Sequence, residues 1–232
     1  MNCCGEDEGY LKLAIESYLN QVQVEIELIV STIEGDPCIE FIRANYPSVI
    51  LSVFPKAEHP GKCPYGSFLQ LNRALPLMTG EWFAFASSND IALPNKTLLE
   101  IQKCKATEKK ICYSSYQTIN EVGAVTLTQP FHEYSYVTHL GANFVSDCAL
   151  VHRSIVEKYL PFRIEYNNYA YWDLWLRVYE GEGDVFCYNP DATWQYRILN
   201  TSMHIARRKD PAAIAANLKD RNRMLADHKF EI

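Results

Sequence analysis

At 232 residues, with 48% hydrophobic and 22% charged content, the chain is long enough for one substantial core and too apolar to stay disordered. A net charge of −6 and a pI near 5.5 exclude the basic surface that a nucleic-acid backbone requires; the one compact basic run is Arg207, Arg208 and Lys209. No stretch approaches the roughly 18 consecutive apolar residues of a transmembrane helix, and MNCCGEDEGY carries neither part of a secretory signal, so a cytoplasmic setting is expected.

In chain order, Leu11, Ala14, Ile15, Tyr18 and Leu19 form one stripe of an amphipathic helix ending near Gln21. IELIVS is a short buried strand, and Pro37 suits the first turn of the helix in DPCIEFIRANY. VILSVFP is a second strand, Ser67 to Met78 a third helix, and WFAFAS at 82–87 another buried strand. Strands alternating with helices of this length predict βαβ units and a mostly parallel sheet. Only about four residues precede the first helix, so the first strand of that series is expected to be trimmed and the chain to be a domain cut from a longer protein. Beyond Pro94 the pattern changes. PNKTLLEIQKC reads as a helix, ICYSSYQTI and AVTLT as antiparallel strands turning at Asn120 to Gly123, and Arg153–Tyr159 and Tyr171–Glu180 as helices. Short strands follow at DVFCYN and TWQYR, and a final helix starts at Asp210 and Pro211. The eight cysteines lack CxxC spacing and are expected to be reduced.

In a parallel sheet, ligands bind beyond the carboxyl ends of the strands, which places Ser87, Ser88, Asn89 and Asp90 at the expected site. The segment LNRALPLMTGEWFAFASSNDIALP resembles the "N-x-A-L … A-x-G-E-[YW]-[IL]-x-F-[LI]-D-x-D-D-x-x-x-P" stretch of family 2 glycosyltransferases, with Asn72, Gly80, Glu81, Asp90 and Pro94 matching. YLKLAIESYLNQ is similar to the family's early helix, ELIVS to its second strand, YWDLWLRVYEGEG to "E-D-W-D-L-W-L-R-x-x-x-x-G", and YRILNTSM to "YR-x-H-x-x-S-M". The blocks occur in family order and span most of the chain.

The resemblance implies a GT-A-type α/β fold: a Rossmann-like, mostly parallel sheet flanked by helices, with a small antiparallel element in the acceptor half. It divides one domain into a nucleotide-sugar half at about 1–95, an acceptor half at about 96–205 and a C-terminal helix. It implies an inverting transfer from a UDP- or dTDP-sugar, hexose or deoxyhexose, to a carbohydrate acceptor in glycan synthesis, assisted by Mn²⁺ or Mg²⁺ on hard oxygen ligands. Asp90 is the expected metal carboxylate, with Asn89 beside it and His204 approaching from the last block. Thr32, Glu34 and Lys62 are the candidate nucleotide contacts, and Arg197 the counter-charge to the diphosphate.

The departures fall on the acids. Two acidic positions of the metal motif are Ser87 and Asn89, the paired aspartates after the second strand are Thr32 and Ile33, and the "E-D" pair holding the general base is Ala170 and Tyr171. Asp173 is the one carboxylate left in that block and the candidate base, with a structural cap as its alternative role. Asp147 lies where the family positions the acceptor. Trp172 and Trp175 fit core packing better than sugar stacking. A sugar-nucleotide-binding module without turnover is the rival reading; a nucleotidyltransferase lacks its Gly-rich phosphate loop.

Overall fold

Asp7 starts the first helix: its carboxylate accepts the N–H groups of Gly9 and Tyr10, and α1 (Glu8–Leu19) buries the predicted stripe of Leu11, Ala14, Ile15 and Tyr18. The computed structural model describes residues 1–3, 5–58, 65–199 and 211–228. β1 (Ile29–Ile33) is buried over nearly its whole length and pairs in parallel with β2 (Ile50–Phe54), from Ile29 opposite Ile50 to Ile33 opposite Phe54. Between them runs α2 (Cys38–Asn45), whose first N–H is taken by Asp36 Oδ1 at 2.9 Å.

Three residues supply the missing strand. The Met1 amino group donates to the Ile29 carbonyl at 2.7 Å, Ser31 N–H to Met1, Cys3 N–H to Ser31, and Asn2 N–H to Ala86. Residues 1–3 thus lie between β1 and the segment after β3 (Trp82–Ala84), with Asn2 bridging Ser31 and Ser87 in parallel. The helix before β3, α3 (Tyr65–Ala74), is clasped by Asn72, whose side-chain amide both donates to and accepts from the backbone of Phe162, at 2.9 and 2.7 Å.

The second half builds a mixed sheet. Its strands are β4 (Ile91–Ala92), β5 (Ile111–Ile119), β6 (Val125–Gln129), β7 (Leu150–His152) and β8 (Phe186–Arg197), in the order β3-β7-β5-β8-β4 with β6 on β5. Only β5 and β8 are parallel there; the other pairs are antiparallel, including the expected β5–β6 hairpin. At its turn, Asn120 Oδ1 accepts from Val122 and Ala124, and Gly123 takes φ +84°, which suits a residue without Cβ. The helices are α4 (Lys96–Thr107), α5 (Tyr136–Gly141), α6 (Arg153–Tyr159), α7 (Ala170–Glu182) and α8 (Pro211–Ala226).

The main core lies where α7 covers this sheet, among Phe83, Phe85, Tyr113, Phe162 and Trp175. Trp175 is fully buried and Trp172 donates its indole N–H to the His139 carbonyl at 2.8 Å, so both tryptophans are core residues. Lys96 and Glu100 form a buried ion pair at 2.6 Å. Glu100 also accepts from the hydroxyls of Ser114 and Thr193, and Lys96 donates to the Cys148 carbonyl at 2.8 Å. The network ties α4 to β5, β8 and the residue following Asp147.

Candidate active site

Beyond the carboxyl end of β3, the chain turns through Ser87 to Asp90 before β4, and the backbone of β8 arrives opposite. Asp90 is 5% exposed, and its Oδ1 accepts the N–H of Arg197 at 2.9 Å. Burial pushes the Asp90 carboxyl up to about 7; the Arg197 N–H opposes this, and the negative charges of Asp147 and Glu6 add to it. Asn89 lies alongside, its side-chain oxygen accepting from the Ser87 hydroxyl at 2.8 Å.

Two further carboxylates complete the group. Glu6, in the loop that follows the N-terminal strand, accepts from the Ser88 hydroxyl at 2.9 Å, and burial raises it above the usual carboxylate range. Asp147 is an exposed residue, and desolvation by the protein around its carboxyl raises it to about 6. Asp147 is near enough to Asp90 and Tyr171 for its negative charge to raise both.

Arg197, expected as the counter-charge to the diphosphate, instead binds the backbone of the Asn89–Asp90 turn as a clamp. It is 2% exposed, its guanidinium donates to the carbonyls of Asn89, Asn120 and Glu121 at 3.0, 3.1 and 3.3 Å, and it stacks on Tyr10 at 4.6 Å. Those bonds engage its Nε and Nη1 on backbone and leave it as a buried positive charge beside the carboxylates. Thr32 is likewise turned inward, with no exposed surface and its hydroxyl 3.2 Å from the Cys38 sulfur. Glu34 is exposed just beyond β1 and accepts the Lys56 N–H at 3.3 Å. Lys62 and His204 lie outside the described residues.

Asp173 stands apart from this group. In the first turn of α7 it has no exposed surface; Oδ2 accepts from Arg177 at 2.8 Å, and Oδ1 contacts Arg163 at 3.4 Å and His228 at 3.2 Å. A base must present a free oxygen to a substrate hydroxyl, and both Asp173 oxygens are committed to cations. The geometry is that of an anchor between α7 and the end of α8. Glu6 is the residue that sequence reasoning missed: it sits in an acidic stretch with no motif around it, and only the folded N-terminal strand carries it to Ser88.

The oxygen donors of this group suit a hard cation. Among the described residues no three carboxylates come within ion-binding distance of one another. Asp90 is the carboxylate that would hold such a cation, whose positive charge would favour the ionised form that burial disfavours.

The fold is that of solved GT-A-type glycosyltransferase structures. The chain is 28% identical over 179 residues to an uncharacterized glycosyltransferase of Rickettsia typhi, covering 73% of the chain and 54% of that protein; it thus spans about half the length of this relative. Among solved structures it is similar to S. aureus TarS 1–349 in complex with UDP, with TM-score 0.66, 11% identity and coverage of 99% of this chain and 66% of that one. The same protein in complex with UDP-GlcNAc gives TM-score 0.62 at 13% identity, covering 95% and 68%. Glucosyl-3-phosphoglycerate synthase from Mycobacterium tuberculosis in complex with UDP gives 0.53 at 16%, covering 95% and 78%. No family model matches the chain. No described helix is long and apolar enough to cross a membrane.

Proposed function

We propose that the chain binds a UDP- or dTDP-sugar with Mn²⁺ or Mg²⁺ and transfers the sugar, with inversion, to a hydroxyl of a carbohydrate acceptor. The observation that carries this reading is the placement of Asp90, buried and raised, at the carboxyl end of β3 in a GT-A fold. UDP and UDP-GlcNAc complexes of proteins with this fold favour a uridine donor.

In this reading Asp90, with Asn89 beside it, holds the cation, which supplies positive charge to the departing diphosphate. Glu34 at the mouth of β1 faces the nucleoside. Arg197 keeps the Asn89–Asp90 turn in place and contributes its charge from behind. The proton of the acceptor hydroxyl passes to Asp147, which is accessible, lies beside both Asp90 and Tyr171, and is raised to about 6, so that it accepts a proton at neutral pH without being too weak a base. Asp147 takes this role in place of Asp173 because Asp173 has no free oxygen.

The test is a mass-spectrometric screen of UDP- and dTDP-sugars with Mn²⁺ and simple glycan acceptors, reading nucleoside diphosphate release and the anomeric configuration of the product. Turnover with inversion supports the proposal. Thermal stabilisation by a sugar nucleotide without turnover supports the binding module instead, and retained configuration overturns the role of Asp147.

A further inference from the structure

Away from this site, three strands of evidence meet in sulfur. Cys112 of β5 and Cys187 of β8 are register partners in the parallel pair, so they lie side by side on one face of the sheet. Cys104 of α4, the helix packed on that face, closes a triangle over them. The Cys104 and Cys187 sulfurs are 3.8 Å apart, and all three lie within 4.8 Å of one another. None of the three residues is more than 3% exposed, and Trp82 packs against the group.

A triangle with these sides has its centre about 2.6 Å or less from each sulfur, against about 2.3 Å for a metal–thiolate bond, so a shift of a few tenths of an ångström closes it around an ion. Among the described residues no histidine or carboxylate joins the three sulfurs. Structural zinc takes four ligands, whereas a set of three soft thiolates with no fourth ligand suits Cu(I). We propose that Cys104, Cys112 and Cys187 form a three-coordinate site for one Cu(I) ion.

Each Cu–S bond replaces an S–H bond, with the proton released to solvent and no change of oxidation state. The ion would lock α4 onto β5 and β8, stabilising the folded chain as any ligand of the native state does. This site is independent of the glycosyl-transfer reading.

The test uses the full chain, reduced and anaerobic, equilibrated with Cu(I) held by bicinchoninate. The expected result is withdrawal of one equivalent of copper per chain with a rise in Tm, abolished by Cys112→Ser and kept by Cys148→Ser, whose thiol lies outside the triangle. Equal withdrawal by Cys112→Ser, no withdrawal by the parent chain, or a Cys104–Cys187 disulfide trapped by alkylation at lysis overturns the proposal. Should Cys112→Ser not fold, copper-edge X-ray absorption on the parent chain decides: a shell of three sulfurs supports the site, and a nitrogen or oxygen shell contradicts it.

Discussion

The backbone N–H of Arg197 donates to the Asp90 carboxylate at 2.9 Å across 107 residues of chain. The same arginine holds the carbonyls of Asn89, Asn120 and Glu121, so one residue at the end of β8 fixes both the turn after β3 and the β5–β6 turn. The carboxylate is therefore oriented while its charge remains poorly compensated, which is the state a cation site needs before its ion arrives.

That poor compensation has a measurable cost. Asp90 titrates near 7 in the folded chain and near 4 when unfolded, so between these values the folded state holds a proton that the unfolded state has lost. Its effect on stability is unfavourable above pH 7 and vanishes as pH falls below about 4. Asp90→Asn keeps an acceptor for the Arg197 N–H and removes the charge. Urea denaturation is expected to find this variant more stable than the parent by roughly 1–4 kcal/mol at pH 8, with the gap closing toward pH 4. Equal or lower stability at pH 8 would contradict the assigned environment of Asp90.

Asp147 and Asp173 are separated by opposite phenotypes. Asp147→Asn should reduce kcat by about 10²–10⁴-fold while leaving nucleotide affinity and Tm nearly unchanged. Asp173→Asn should instead cost roughly 3 kcal/mol, because it strips the buried partner from Arg177 and His228, while activity per folded molecule persists. The reverse pattern in steady-state kinetics and chemical denaturation would return the base to α7.

His228 makes the docking of α8 depend on pH. Burial lowers its pKa, but the bonds to Asp173 and Glu180 outweigh this and hold it above the ordinary histidine value. The stabilisation is therefore fully present below about pH 6.5 and is lost as pH rises through the folded value. Hydrogen exchange in residues 211–228, corrected for the intrinsic pH dependence, is expected to accelerate across that window. In His228→Gln the step should be absent.

The N-terminal half was the most legible part of the fold, because β1, β2 and the helices around them carry apolar patterns and clear start signals such as Pro37. The C-terminal half was less so. β4 and β7 have two and three residues, too few for any period to register. β8 reads as two strands because Pro190 interrupts it; in the sheet the break is an irregularity, where Ser114 pairs Asn189 and Ser115 pairs Ala192. The strand expected over 82–87 ends at Ala84, and Asp90 lies in the turn just before β4. The roles of Arg197 and Asp173 were not legible, since the partners that bury them lie as far as 108 residues away in sequence.

The most direct test of the central claim is calorimetric titration of the chain with UDP, with and without Mn²⁺, for the parent and for Asp90→Asn. The account predicts binding that is strengthened by Mn²⁺ in the parent and loses that metal dependence in the variant. UDP binding that is indifferent to Mn²⁺, or equally metal-dependent without the Asp90 carboxylate, would contradict it.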